Sequence, residues 1–143
     1  MKIIKLFLLA ICVAVSAVGC ASGVKYSEYR PTVSPPAAGM GRIWFYRPSA
    51  GGMGVQPGVD LDGQTVGKAK PHGFFYADTT PGEHEVKCTT EWSNKTTVNV
   101  TAGQESYIKL RMMIGLLVGH VLPTEVTAAE AEKDLKDMHL IEK

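Results

Sequence analysis

Three cysteines in 143 residues, no surplus of either charge and only one extended apolar run are the first facts of this chain. With 15 Lys and Arg against 14 Asp and Glu, the formal net charge is +1. A near-neutral chain carries no electrostatic footprint for nucleic acid and none for an anionic membrane surface. The apolar run, Leu6 to Val18, is too short to cross a bilayer, which takes about 20 residues. Cys-x-x-Cys and His-x-x-x-His spacings are missing, so no metal site is legible. No Gly-x-Gly-x-x-Gly precedes a helix and no Gly-x-Ser-x-Gly occurs. The glycine-rich Ser49 to Gly54 lacks the Lys-Ser/Thr of a phosphate loop. No cofactor, no metal and no catalytic residue is therefore expected.

What is present begins with a leader. Lys2 and Lys5 precede the apolar run, and the small residue Gly19 stands before Cys20, which is the n-region, h-region and cleavage pattern of a secretory signal. The segment Ala17-Val18-Gly19-Cys20 resembles the lipobox of bacterial lipoproteins. That resemblance implies cleavage between Gly19 and Cys20, diacylglyceryl transfer to the Cys20 sulfur and acylation of the new amine. Ala17 departs from the usual Leu. Ala21 stands where Asp would favour inner-membrane retention, so the resemblance implies the outer membrane, with the domain in the periplasm. Each buried methylene contributes about 0.8 kcal/mol, so several acyl chains hold a soluble domain where one does not. Cleavage removes two of the 15 basic residues and no acidic one, leaving 13 against 14. Cys12 leaves with the leader and Cys20 is lipidated, so Cys88 has no partner for a disulfide.

Residues 20–40 follow as the lipidated cysteine and a flexible tether. No period runs through them, and Pro31, Pro35 and Pro36 break any helix. As a coil, about 20 residues reach roughly 25 Å, which lets the domain stand off the membrane.

From Gly41 to Lys143 the texture is that of one β domain. GRIWFYRP (41–48) reads as a strand stopped by proline. Asp62-Gly63 joins two short strands in a hairpin turn that needs positive φ. GFFYADT (73–79) is the next strand. In the run from Glu83 to Trp92, His84, Val86, Cys88, Thr90 and Trp92 share one face. Ten residues of alternation predict a strand with one buried and one wet side, Trp92 among the buried set. Ser93-Asn94 is the expected turn after it. Thr96, Val98 and Val100 face inward next, then Ser106, Ile108, Leu110 and Met112. Thr127 to Glu130 forms a capping box before AAEAEKDLKDM, predicting a helix over 128–137 with Ala131, Leu135 and Met138 toward the sheet. Strands every 8 to 12 residues with Gly/Pro turns predict an all-β, small antiparallel β-sandwich with a short C-terminal α-helix.

RIWFYRP, VDLDGQTVGKAKPHGFFYADTTPGEHEV and VTAGQESYIKL resemble a family of bacterial envelope lipoprotein domains of unknown function. The shared layout is a Tyr-Arg first strand, a Val-x-x-Asp-Gly hairpin, a Pro-Gly-x-His turn and an Ala-Gly-Gln turn. It is also similar to the PEGA-type sandwich, of the transthyretin-like class. The likeness covers residues 41–140 and rests on turn chemistry, so it implies a fold and no catalytic residues.

His84 and Cys88 share a strand face, but positions i and i+4 of a strand stand about 13 Å apart. That separation forbids a shared metal or a hydrogen bond, leaving Cys88 as a small buried hydrophobe and His84 as a half-buried turn residue. Trp44, Tyr46, Phe74, Phe75 and Tyr76 alternate in two strands and read as core. Met112 to Pro123 is uncharged and has no clean period; most of it reads as a buried hairpin. Within it Leu116, Leu117 and Val118, flanked by Gly115 and Gly119, read as an exposed tip that meets a partner protein or the lipid surface.

The expectation is a non-enzymatic, lipid-anchored outer-membrane protein with a binding or structural role in the envelope. Its partners are the membrane, through Cys20, and an envelope protein. The alternative is an inhibitor or accessory subunit that caps an envelope enzyme or complex through its loops.

Overall fold

The computed structural model describes residues 19–142. The expected leader, except Gly19, lies outside the described residues. Nine strands form two sheets. β1 (Gly41–Arg47), β4 (Gly73–Thr79), β7 (Glu105–Met113), β8 (His120–Val126) and β9 (His139–Leu140) make one, in the order β8-β7-β1-β4-β9. β2 (Gly58–Leu61), β3 (Gln64–Lys68), β5 (Gly82–Thr89) and β6 (Ser93–Val100) make the other, in the order β3-β2-β5-β6. The chain is an all-β sandwich with a short C-terminal helix.

β1 is buried at all seven positions, which a strand wet on one side never is. It lies at the centre of its sheet, parallel to β7 and antiparallel to β4. Ile43 and Phe45 face the second sheet, in a core with Val59, Val86, Ile108 and Leu110. The rings of Phe45 and Phe75 stack across the β1–β4 ladder at 4.9 Å. Trp44 and Tyr46 face the other way, into a second core with Phe74, Tyr107 and Leu135. The aromatic stripe is thus core, split between two faces of one sheet.

The second core requires a third layer. Part of it is α2 (Ala128–Leu135), capped by the Thr127 hydroxyl accepting from the Glu130 amide and burying Ala131 and Leu135, with Met138 just beyond. The rest comes from the segment read as a tether. Residues 21–33 pack on the domain: α1 (Tyr26–Tyr29) passes into a 3₁₀ turn (Arg30–Thr32), and Tyr26 is 2 % exposed. The Tyr26 ring meets Trp44 and Phe74 edge-on at 5.5 and 5.2 Å. Its hydroxyl donates to Glu132. Arg30 forks onto Glu105, and Arg42 forks onto Asp78 while donating to the Ser34 carbonyl. Backbone bonds sew the segment down: the Ala21 amide to Pro71, Tyr26 to Met138, and Leu140 to Val24. All of these partners are distant in sequence, so local composition gives no sign of them.

Two local expectations also change. β5 ends at Thr89, paired with Ser93, so Thr90, Glu91 and Trp92 make the turn and Ser93-Asn94 begins β6. Alternation buries side chains only as far as the ladder runs, and Trp92 is 52 % exposed. The Met112 to Pro123 region divides. Met112, Met113 and 120–123 lie in a β7–β8 hairpin, with Val121 and Pro123 buried, while Ile114 to Val118 project from it. Pro123 is tolerated because β8 is an edge strand.

Candidate functional site

Arg47, the last residue of β1, is fully buried with no carboxylate beside it. Its guanidinium is solvated by backbone instead. Nη1 donates to the carbonyls of Val55 and Ala69, Nη2 donates to those of Gly51 and Gly52, and Nη2 lies 3.6 Å from the Met112 sulfur. One side chain thus fastens the glycine-rich 48–57 loop, the start of the β3–β4 connection and β7 into one end of the sandwich. Burial lowers the Arg47 pKa from its ordinary value, and Cys20 is near enough to act in the opposite sense.

Cys20 stands at this same end and is exposed. Gln56 donates to the Gly19 carbonyl at 3.2 Å and to Met53 at 2.9 Å. Ala21, the very next residue, is already buried. The hairpin tip rises alongside: Ile114, Leu116 and Leu117 are 95, 82 and 88 % exposed, and Val118 about half. The expected tip residues are therefore in the open. Their shape is set by Glu91, whose carboxylate accepts from the amides of Leu116, Leu117 and Val118 at 3.1, 2.6 and 2.7 Å. Those amides hold the Glu91 carboxyl below its ordinary pKa. Gly115 is obligatory here, because a Cβ would collide with the Val118 carbonyl oxygen. Trp92 packs edge-on against His120 at 5.0 Å, joining the 90–92 turn to the tip.

The opposite end holds the one close acid–imidazole pair among the described residues. Asp62 sits at φ 51° and Gly63 at φ 81°, the hairpin turn that the Asp-Gly pair demands. This turn delivers an Asp62 carboxylate oxygen to within 2.6 Å of His84 Nδ1, while Nε2 donates to the Thr80 carbonyl at 2.7 Å. Asp62 also accepts from the Glu85 amide. Burial alone lowers the His84 pKa, but its bonds to Asp62 and Thr80 and the Asp62 charge outweigh it, and the net shift is upward. With both nitrogens engaged, His84 has no lone pair to offer a substrate, and the pair pins a turn. The sequence reading placed His84 on its strand but assigned it no partner; Asp62 had been read only as a turn residue. Cys88 is buried four ladder positions from His84 along β5, and burial pushes its thiol up to about 12, which makes it inert.

One groove opens along the sandwich side where β3 and β4 diverge, with a volume of about 550 Å³. Val66, Phe75, Ala77 and Ile141 floor it and Lys68 and Lys70 stand at its rim. It contains no hydrogen-bonded acid–base pair. Among the described residues no group of three or more His, Cys, Asp or Glu is placed to hold a metal ion, and no helix is long and apolar enough to cross a membrane.

No curated protein and no solved structure matches the chain. The family model described as "Protein of unknown function (DUF2846)" matches residues 37–120. That stretch holds β1 to β7 and omits the Tyr26 segment, α2 and the two strands β8 and β9. Because the match spans more than half of the 143 residues, the chain belongs to the DUF2846 family.

Proposed function

We propose that the chain is a lipid-anchored periplasmic protein of the bacterial envelope with a non-catalytic binding or structural role. The observation that carries this reading is the position of Cys20. A lipobox cysteine stands exposed at the surface of a folded domain, with the next residue already packed into it. A signal cut elsewhere would have no reason to seat the chain at that residue. The polar constellations support a non-catalytic role, since Arg47, the Arg42–Asp78 fork and the His84–Asp62 pair all bind the fold's own backbone and side chains. Within β-sandwiches, the turn motifs favour the PEGA-like or transthyretin-like class.

The test is lipidation itself. Full-length chain expressed in a Gram-negative host with an alkyne palmitate analogue is expected to take up label and to sediment with the outer-membrane fraction. Cys20→Ala is expected to lose both. Label retained in Cys20→Ala, or absent from the parent chain, refutes the reading.

A further inference from the structure

We propose that the end of the sandwich bearing Cys20 and the 114–119 tip lies in the membrane surface, its apolar side chains entering the lipid beside the acyl anchor. This inference rests on the reading of Cys20 as the lipidated residue and adds the orientation of the domain and a second contact with lipid.

Apart from Val24, every exposed large apolar side chain among the described residues sits at this end, on three loops and on Met113 at the close of β7. Met53 belongs to the glycine-rich loop, Trp92 to the β5–β6 turn, and Ile114, Leu116 and Leu117 to the hairpin tip. Contacts join these loops to one another. Arg47 links the Met53 loop to Met112, Met112 leads into the tip, and Glu91 and Trp92 close on it from the second sheet. Contiguous exposed apolar surface of this kind marks a site of contact. An indole whose polar edge stays near the interface suits the headgroup layer. The Glu91 carboxylate is no obstacle, because it is turned onto the tip's amides.

The occupant is set by the anchor. With Ala21, the residue after Cys20, buried and its amide bonded to Pro71, there is almost no slack between the acyl-bearing sulfur and the domain. The end that carries Cys20 has nowhere to be except at the bilayer. Lipid therefore covers the tip, not a protein that would have to reach between the domain and its own anchor.

The experiment uses the full acylated chain on vesicles of phosphatidylethanolamine and phosphatidylglycerol. Cys20 is capped by lipid and Cys88 is buried, so an environment-sensitive fluorophore attaches at one introduced thiol. Leu117→Cys reports the tip, and Ala102→Cys the opposite end. Probe at 117 is expected to shift to the blue, to lose quenching by aqueous iodide and to be quenched by nitroxide-bearing lipids. Probe at 102 is expected to stay open to iodide. A melting curve of Leu117→Cys unlike the parent's moves the probe to Leu116→Cys. Intact mass distinguishes the two readings. If the acyl mass is present but both probes are equally open to iodide, the docked orientation is wrong while the anchor stands. That result, together with a photo-crosslinker at 117 capturing a protein in intact cells, gives the tip to a protein partner instead. A chain without the acyl mass refutes the anchor, and the orientation falls with it.

Discussion

Arg42, Arg47 and His84, the buried charged and imidazole side chains among the described residues, are answered by backbone or by an opposite charge, and the answers have measurable consequences. His84 is the clearest. Its folded pKa is raised above the ordinary imidazole value, so its contribution to stability is complete below about pH 6.5 and is lost as the pH climbs through the raised value. Asp62, held below its ordinary range by the His84 bond and the Glu85 amide, contributes above about pH 4, and that share is lost only as acid reaches its lowered pKa. Stability from the pair is therefore greatest in mildly acidic solution. The melting temperature of the parent is expected to fall between about pH 6 and about pH 9, and His84→Gln to flatten that decline. An identical decline in both proteins would mean that the pair is not formed.

At the scale of elements, the two faces of the first sheet separate what a strand pattern can reveal from what it cannot. Inward positions such as Val86, Val98, Ile108 and Leu110 were legible because period-2 alternation writes burial directly into sequence, and Thr127 announced α2 through its cap. The Asp62-Gly63 turn was legible for the same local reason. Tyr26 was not, because what buries it is Trp44, Phe74 and Met138, none within reach of any local period. Trp92 misled in the opposite sense, continuing an alternation past the point where the ladder stops. At the candidate site Leu116 to Val118 stood out by composition, whereas the role of Glu91 as the clamp on the tip left no trace. These corrected positions are distinguishable by calorimetry. Tyr26→Ala is expected to cost about 3 kcal/mol or more, as large-to-small changes in an aromatic core do. Trp92→Ala is expected to change stability by less than about 0.5 kcal/mol, as at other exposed sites. Two equally small costs would return Tyr26 to a tether, and two equally large ones would put Trp92 in the core.

For the whole molecule, the decisive arrangement is a sandwich closed where β6 meets β8, open along β3, and thickened on one face by both ends of the chain. The stretch that the family model matches leaves out the third layer together with β8 and β9. Ile141 fills space against Gly73 and Ala21, and β9 pairs with β4 through His139 and Leu140. A chain ending at Asp137 is expected to keep a cooperative thermal transition at a lower temperature and to become cleavable by trypsin at Lys25. Resistance at that site would show that β9 does not hold the segment. The knot of Val24, Met138 and Leu140 also sets an order of events. Residues far apart in synthesis complete one another: Tyr26 lacks part of its seat until Met138 has left the ribosome. Assembly of the third layer consequently waits on Met138, and Tyr26 stays uncovered on that side while the strands between them are being made.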